Sequence, residues 1–401
     1  MAITPISSVE AFKIFVETTR QADGYRDPIG FGICRLDRGQ VNPDKILQAT
    51  FPVVNWKENY GSAAVFLSAA DLLRSEGSEV VIDITPAFVE KAKALFSPYW
   101  EEAEGEVHKN VQVIKLLDEL HQQGKMEGNF SLVVLFEDEK PVTVQGVYLK
   151  LYALSLGKAA LRSLNLNGAF GLLTNCAWSG NQPIELEWLR QNEIALKMKG
   201  EYPKIDFVDK FPRYLQHVIP ADNTRILDTA KVRMGAQLAS GTTVMPGASY
   251  INFNAGTTGV SMVEGRISSS AIVGDGSDVG GGASILGVLS GTNGNPVTIG
   301  KNVLLGANSV TGIPLGDGCI VDAGIAVLEG TKFFIPQSEL AKIAEVNPDA
   351  TLDFPQSEGF WVAKGLQLAG LNGLHFRQDS ATGRMIVLRS RRDVKLNADL
   401  H

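Results

Sequence analysis

Val273-Gly274-Asp275-Gly276-Ser277-Asp278-Val279-Gly280-Gly281-Gly282-Ala283-Ser284-Ile285 repeats an aliphatic residue at every sixth position. Upstream the same spacing runs through Ile226, Val232, Leu238, Val244, Tyr250, Gly256 and Met262, of which only Gly256 is not large and apolar. Downstream it resumes at Ile299 and Leu305, then at Leu315, Val321, Val327 and Phe333. Small residues follow four positions after many of these, as at Ala236, Thr242, Ala248, Ser277, Ala283 and Ser309. A period of six fits neither the 3.6 of a helix nor the 2 of a flat strand. It predicts a parallel β-helix over 226–333, in which three short strands and three corners make each turn. Glycine and asparagine suit corners that need positive φ. A β-sandwich with glycine-rich turns is the plainer alternative, and the sustained register counts against it.

Two interruptions stand out. Residues 287–296 stretch the gap between Ile285 and Ile299 to fourteen, which predicts a protruding loop; Thr311-Gly312-Ile313-Pro314 shortens the next gap. Loops leaving a regular scaffold commonly carry function.

The rest of the chain reads differently. Of its 41 glycines, a majority lie within 231–330, so the flanks have ordinary composition. Residues 1–215 read as an α/β domain, with helices over Ser8–Ala22, Gly61–Ser75, Asn110–Gln123 and Val144–Leu164, and strands over Phe130–Phe136 and Ala169–Cys176. Residues 204–225, with Pro212 and Pro220, read as a linker. Residues 334–401 form a small C-terminal extension, helical near Ser338–Ala344 and extended over Arg384–Leu388.

Composition narrows the function. Net charge is -7, which argues against nucleic acid as the main partner. Cys34, Cys176 and Cys319 form no C-x-x-C pair, so no zinc or redox motif is present, and so sparse a set fits a reducing compartment. No run of 18 apolar residues and no signal-like start is seen, so the expectation is a cytoplasmic protein without a membrane partner.

The five histidines, His108, His121, His217, His375 and His401, all fall outside 218–374. The coil therefore has no imidazole base of its own, and a carboxylate is the best candidate acid or base. Asp275, Asp317 and Asp322 sit near corners, where an aspartate most simply accepts backbone N–H groups. Glu264 is unusual for a corner, and Arg266 is close enough in sequence to pair with it on the surface. Gly280-Gly281-Gly282 would let a thin ligand lie against bare backbone, and their amides could stabilise an oxyanion.

Several linked strings carry a more specific signal: Phe253-Asn254-Ala255-Gly256-Thr257, Ser261-Met262-Val263-Glu264-Gly265-Arg266, Gly274 to Ser284, and Leu304-Leu305-Gly306-Ala307-Asn308-Ser309. They resemble the tetrahydrodipicolinate N-succinyltransferase family of hexapeptide-repeat acyltransferases, its actinobacterial-type branch more than the shorter enterobacterial one. The resemblance spans roughly 145–401 and adds little over the first 140 residues. It implies a left-handed β-helix, a homotrimer with active sites between subunits, and succinyl-CoA as co-substrate with no permanently bound cofactor. It implies a catalytic role for Glu264 and contact of Arg266 with the succinyl end. It further implies substrate or acyl-CoA contacts at Gly281, Ser284, Ala307, Asp322, Ala323, Gly330, Lys342, Arg377, Gln378, Asp379 and Ser380. Some relatives hold a divalent ion with acidic residues near the trimer axis. Lys231 and Ala248 stand there in this chain, so no metal site is expected. The implied reaction is succinyl transfer to tetrahydrodipicolinate on the diaminopimelate route to lysine. Alternatives are a hexapeptide acyltransferase with another acyl-CoA or acceptor, and a non-catalytic scaffold.

Overall fold

A computed structural model of the chain describes residues 4–126, 128–288, 292 and 294–391. The middle of the expected 287–296 loop, the Met1–Ile3 start and the end of the C-terminal extension lie outside those residues. The chain divides into two compact units, Met1–Ala153 with Leu164–Phe211, and Leu154–Ser163 with Pro212–His401.

The first unit is α/β. Strands Ile46–Thr50, Gly30–Arg38, Phe130–Leu135 and Glu79–Asp83 lie side by side in that order, all antiparallel. Helices Val9–Arg20, Tyr60–Ala69, Pro86–Leu95 and Lys109–Gln122 supply Phe12, Phe66, Phe88 and Ile114 to one core with Phe31 and Leu132. Ser8 begins the first helix by accepting the Ala11 N–H, as an N-cap should. A second antiparallel sheet joins Gln182–Glu185, Cys176–Ser179 and Phe207–Asp209.

Four sequence expectations change here. The helix expected over Gly61–Ser75 ends at Ala69, and Asp71 follows at φ +56°. The helix from Val144 ends at Ser155, because Gly157 turns at φ +68°. Residues Ala169–Leu172 are a short helix, and the strand starts only at Cys176. The supposed linker holds a strand, Phe207–Asp209, and the buried side chains of Phe211 and Tyr214.

The second unit is the six-residue repeat in three dimensions. Its strands fall into three parallel ladders visited in rotation. On the first face Ile226, Val244, Val263, Val279, Leu305 and Val321 stack in register. On the second Ile251, Ile267, Ile285, Thr311 and Val327 do so, and on the third Thr257, Val273 and Ile299. Nearly all of these side chains are fully buried. Each aliphatic side chain so buried contributes roughly 1.5–3 kcal/mol.

The register corrects the reading at three positions. Ile251, Thr257 and Val263 point inward, not Tyr250, Gly256 and Met262. The corner after Val244 contains Pro246 and Gly247 and takes one residue more than the others, which shifts the phase. Two hexads later the step from Val263 to Ile267, around Glu264–Arg266, is short by two residues, which moves the series to the phase of Val273 and Val279. The 287–296 excursion and the short 312–314 corner fall where the spacing puts them, between Ile285 and Ile299 and between Thr311 and Leu315.

Arg162 fastens the corners between the second and third faces. Its backbone N–H donates to Asn254, and its guanidinium donates to the carbonyls of Ser270 and Val297 and to the Thr298 hydroxyl. Burial holds this guanidinium below its ordinary pKa.

After Val327 the chain leaves the coil. It forms strand Lys332–Pro336 and helix Gln337–Glu345, then returns as Leu374–Gln378 to extend the first face in parallel with Ile320–Val321. Met385–Arg389 folds back antiparallel on that strand. The extended Arg384–Leu388 stretch and the Ser338–Ala344 helix both occur as the sequence predicts, shifted by a residue at their ends.

Candidate functional site

The corners joining the first face to the second stack into one edge of the coil. Glu264 closes strand Ser261–Val263 and is half-buried at that edge. One turn on, Gly282 donates to the Glu264 carbonyl. Next, Asn308 donates to the Gly281 carbonyl, and Gly324 to that of Ala307. Glu264, Gly281, Ala307 and Ala323 are therefore successive rungs.

The three glycines at 280–282 divide by purpose. A Cβ on Gly280 would come within 2.5 Å of the Leu305 carbonyl, and Gly282 sits at φ +72°. The coil needs both. A Cβ on Gly281 would meet nothing closer than the Glu264 carboxylate oxygen, at 3.6 Å. The backbone tolerates a side chain there, and only the space beside Glu264 would be lost.

The same edge presents polar backbone. Among the described residues, the N–H groups of Gly281, Ala307 and Ala323 have no acceptor in the chain, while their neighbours all bond between or within turns. Ala307 and Ala323 are exposed. With parallel strands roughly 4.8 Å apart, the row from Glu264 to Arg377 spans four steps, or roughly 19 Å. Its donors suit a long, thin molecule with carbonyl groups along its length.

Arg266 and Ser284 adjoin on the second face, directly paired in register. Glu264 and Arg266 form no ion pair with each other among the described residues. The corner at Gly265 separates them: one ends the first face and the other begins the second. A Cβ on Gly265 would lie 2.3 Å from the Ala283 carbonyl, so this tight corner requires glycine.

The corner aspartates divide as well. Asp275 accepts the Val260 N–H at 2.8 Å and Asp317 the Lys301 N–H at 2.7 Å, the simple structural role. Asp322 instead lies 2.7 Å from His375 Nε2, with Arg377 Nε at 3.9 Å. The remaining expected residues are dispersed. Gly330 is exposed just past the last second-face strand, Ala326–Val327, where the chain leaves the coil. Lys342 pairs with Glu339 on the Gln337–Glu345 helix. Gln378, Asp379 and Ser380 open the final hairpin, where Asp379 accepts from the Ala381 N–H and the Thr382 hydroxyl. These two bonds hold its carboxyl below the usual range, the hydroxyl contributing most.

Sequence reasoning missed His375. The coil has no histidine between its first and last hexads, yet the returning strand brings one onto its first face. The signal was present in Leu374-His375-Phe376-Arg377, whose alternation puts Leu374 and Phe376 inside and His375 and Arg377 outside.

Among the described residues no group of three or more His, Cys, Asp or Glu could hold a metal ion. Lys231 donates to the Gly247 carbonyl at 2.7 Å, beside Ala248. Burial pushes the Cys34 thiol up to about 12 and the Cys176 and Cys319 thiols up to about 11. Among the described residues, no helix is long and apolar enough to cross a membrane.

Three parallel ladders, a six-residue repeat and a carboxylate on a ligand-sized edge define a hexapeptide-repeat protein, and residues 296–329 match the model for the hexapeptide repeat of succinyl-transferase. Residues 10–171 match the tetrahydrodipicolinate N-succinyltransferase N-terminal model and 173–213 the middle model. The chain belongs to the tetrahydrodipicolinate N-succinyltransferase family. It is 64% identical to the 2,3,4,5-tetrahydropyridine-2,6-dicarboxylate N-succinyltransferase of Nitratiruptor sp., over 99% of this chain and 100% of that one. It is 52% identical to that of Helicobacter pylori, over 98% and 100%. A crystal structure from Campylobacter jejuni, described as a 2,3,4,5-tetrahydropyridine-2-carboxylate N-succinyltransferase, superposes with a TM-score of 0.89 at 56% identity, covering 97% of this chain and 100% of that one. The likeness therefore includes the first 140 residues, where motif reading found little.

Proposed function

We propose that this chain transfers the succinyl group of succinyl-CoA to tetrahydrodipicolinate, in its ring-opened amino-keto form, on the diaminopimelate route to lysine. The observation that carries the reading is the single edge on which Glu264, Gly281, Ala307 and Ala323 are stacked, with three N–H donors aligned along it. In this reading the coil is left-handed, three chains associate, and the acyl-CoA lies in a groove between neighbours. The division of labour is an N-terminal domain over 1–215, the acyltransferase coil over 226–333 and an extension over 334–401 that covers the groove. The protein works in the cytoplasm.

The chemistry follows from the residues. The substrate amine attacks the thioester carbonyl, a C–N bond forms, and the C–S bond breaks to release CoA thiol. Glu264 takes the proton that the amine must lose, a contribution of about 10²–10⁴ in rate. An alternative use of the same carboxylate is transient acylation, giving an anhydride that the amine then opens. Arg266 binds the distal succinyl carboxylate through paired hydrogen bonds, which favours succinyl over acetyl. Ser284, Gly330, Lys342, Arg377, Gln378, Asp379 and Ser380 complete the acyl-CoA and substrate contacts together with Asp322.

The test is thiol release from succinyl-CoA with tetrahydrodipicolinate, beside acetyl-CoA and Glu264→Gln. Release with succinyl-CoA that is lost in E264Q supports the reading. Release with acetyl-CoA alone changes the donor, and silence with both removes the activity. The three protein thiols are buried, so they do not obscure the signal.

A further inference from the structure

We propose that His375 is a positioning residue for the phosphate-bearing end of the acyl donor, acting through Asp322 on Arg377. The inference rests on the reading that acyl-CoA lies along the Glu264–Ala323 edge. One oxygen of the Asp322 carboxylate is 2.7 Å from His375 Nε2, and the other is 3.9 Å from Arg377 Nε. His375 and Arg377 lie two residues apart on strand Leu374–Gln378 and so share its outer side. The imidazole is the more buried partner, with a side chain 23% exposed against 47% for Arg377. A half-buried donor that fixes one carboxylate oxygen orients the other toward the exposed guanidinium. The guanidinium is thereby held at the edge with donors to spare for an anion.

Position decides what the cluster can do. It stands about four rungs, roughly 19 Å, from Glu264, too far to take part in proton transfer at the thioester. A donor whose thioester lies at Glu264 and whose arm follows the row of free N–H groups places its nucleotide phosphates near this end. The cluster therefore contributes to holding the donor and not to the chemical step. It also gives a purpose to the histidine that the returning strand carries onto the first face.

The experiment compares two donors, succinyl-CoA and a succinyl thioester of N-acetylcysteamine, which lacks phosphates. His375→Leu removes the donor to Asp322. It is expected to raise KM for succinyl-CoA about tenfold, as loss of one hydrogen bond to a charged group would, with kcat unchanged. With the phosphate-free donor, kcat/KM should equal that of the unmodified protein. His375→Gln, which keeps an N–H donor, should stay within about twofold of the unmodified protein. His375→Phe provides the same comparison if H375L does not fold, and the H375L/R377Q double variant should lose no more than R377Q alone. A loss of equal size with both donors, or none with either in a folded variant, overturns the proposal. Ala307→Leu distinguishes the underlying reading. If it leaves the KM for succinyl-CoA unchanged, the edge is not the donor groove. If it raises that KM while H375L does not, only the role of His375 falls.

Discussion

Gly281 shows how one residue can matter to a site and not to the fold. Its flanking glycines are demanded by a carbonyl 2.5 Å away and by a positive φ, whereas the added methyl of Gly281→Ala meets only Glu264, at 3.6 Å. The variant should melt with the unmodified protein, yet lose about ten- to a hundredfold in kcat/KM through displacement of the carboxylate or the donor. Equal activity would show that the space is not used. Thr311 presents the opposite case. It stands inward between Ile285 and Val327, and its buried hydroxyl has no hydrogen-bond partner. Thr311→Val keeps the shape and removes the cost of that hydroxyl, so it should stabilise the protein by about 1 kcal/mol in a denaturant titration. The spacing from Ile299 and Leu305 already points Thr311 inward; what the sequence does not reveal is that its hydroxyl finds no partner there.

The helix Gln337–Glu345 is tied down by a carboxylate. Burial disfavours the charged form of Glu339, but Lys342 and the Arg389 N–H at 2.9 Å bind that form and hold the carboxyl below its ordinary value of 4.5. A carboxyl with a depressed folded pKa contributes stability above its unfolded value and loses it as pH falls through the folded one. Stability should therefore fall as pH drops below about 4.5, and Glu339→Gln should flatten that part of the profile of melting temperature against pH. An unchanged slope would mean that other carboxyls govern the acid limb. Elements were legible where one period dominated, as in Val9–Arg20, Lys109–Gln122 and Phe130–Leu135. They were misread where two apolar neighbours offered two phases, as in Tyr250-Ile251 and Met262-Val263. In the first pair a seven-residue corner at Pro246-Gly247 chose between them. The 144–164 segment looked helical throughout because Ala159 and Leu161 are buried too, yet Gly157 ends the helix first.

At the scale of the molecule, the coil was readable because a period of six has few structural solutions, and the candidate edge is set by which corners lie between the first and second faces. The alternation at Leu374-His375-Phe376-Arg377 marks a strand, but nothing in residues 374–378 shows that it rejoins a ladder last visited at Val321. That return has a further consequence. A stack of parallel rungs presents at its end a row of N–H and C=O groups matched to an identical chain, which is how self-propagating filaments grow. Leu374–Gln378 occupies the next place on the first face, and Met385–Arg389 then runs in the reverse direction, so the register for another parallel rung is broken. Removal of the chain from residue 372 onward should yield protein that sediments as ordered, thioflavin-positive aggregates, whereas soluble truncated protein would show that the end is guarded in another way. The last two strands are thus expected to serve as a stopper: the strand that adds a final rung to the candidate edge is also the one whose antiparallel partner ends the parallel stack.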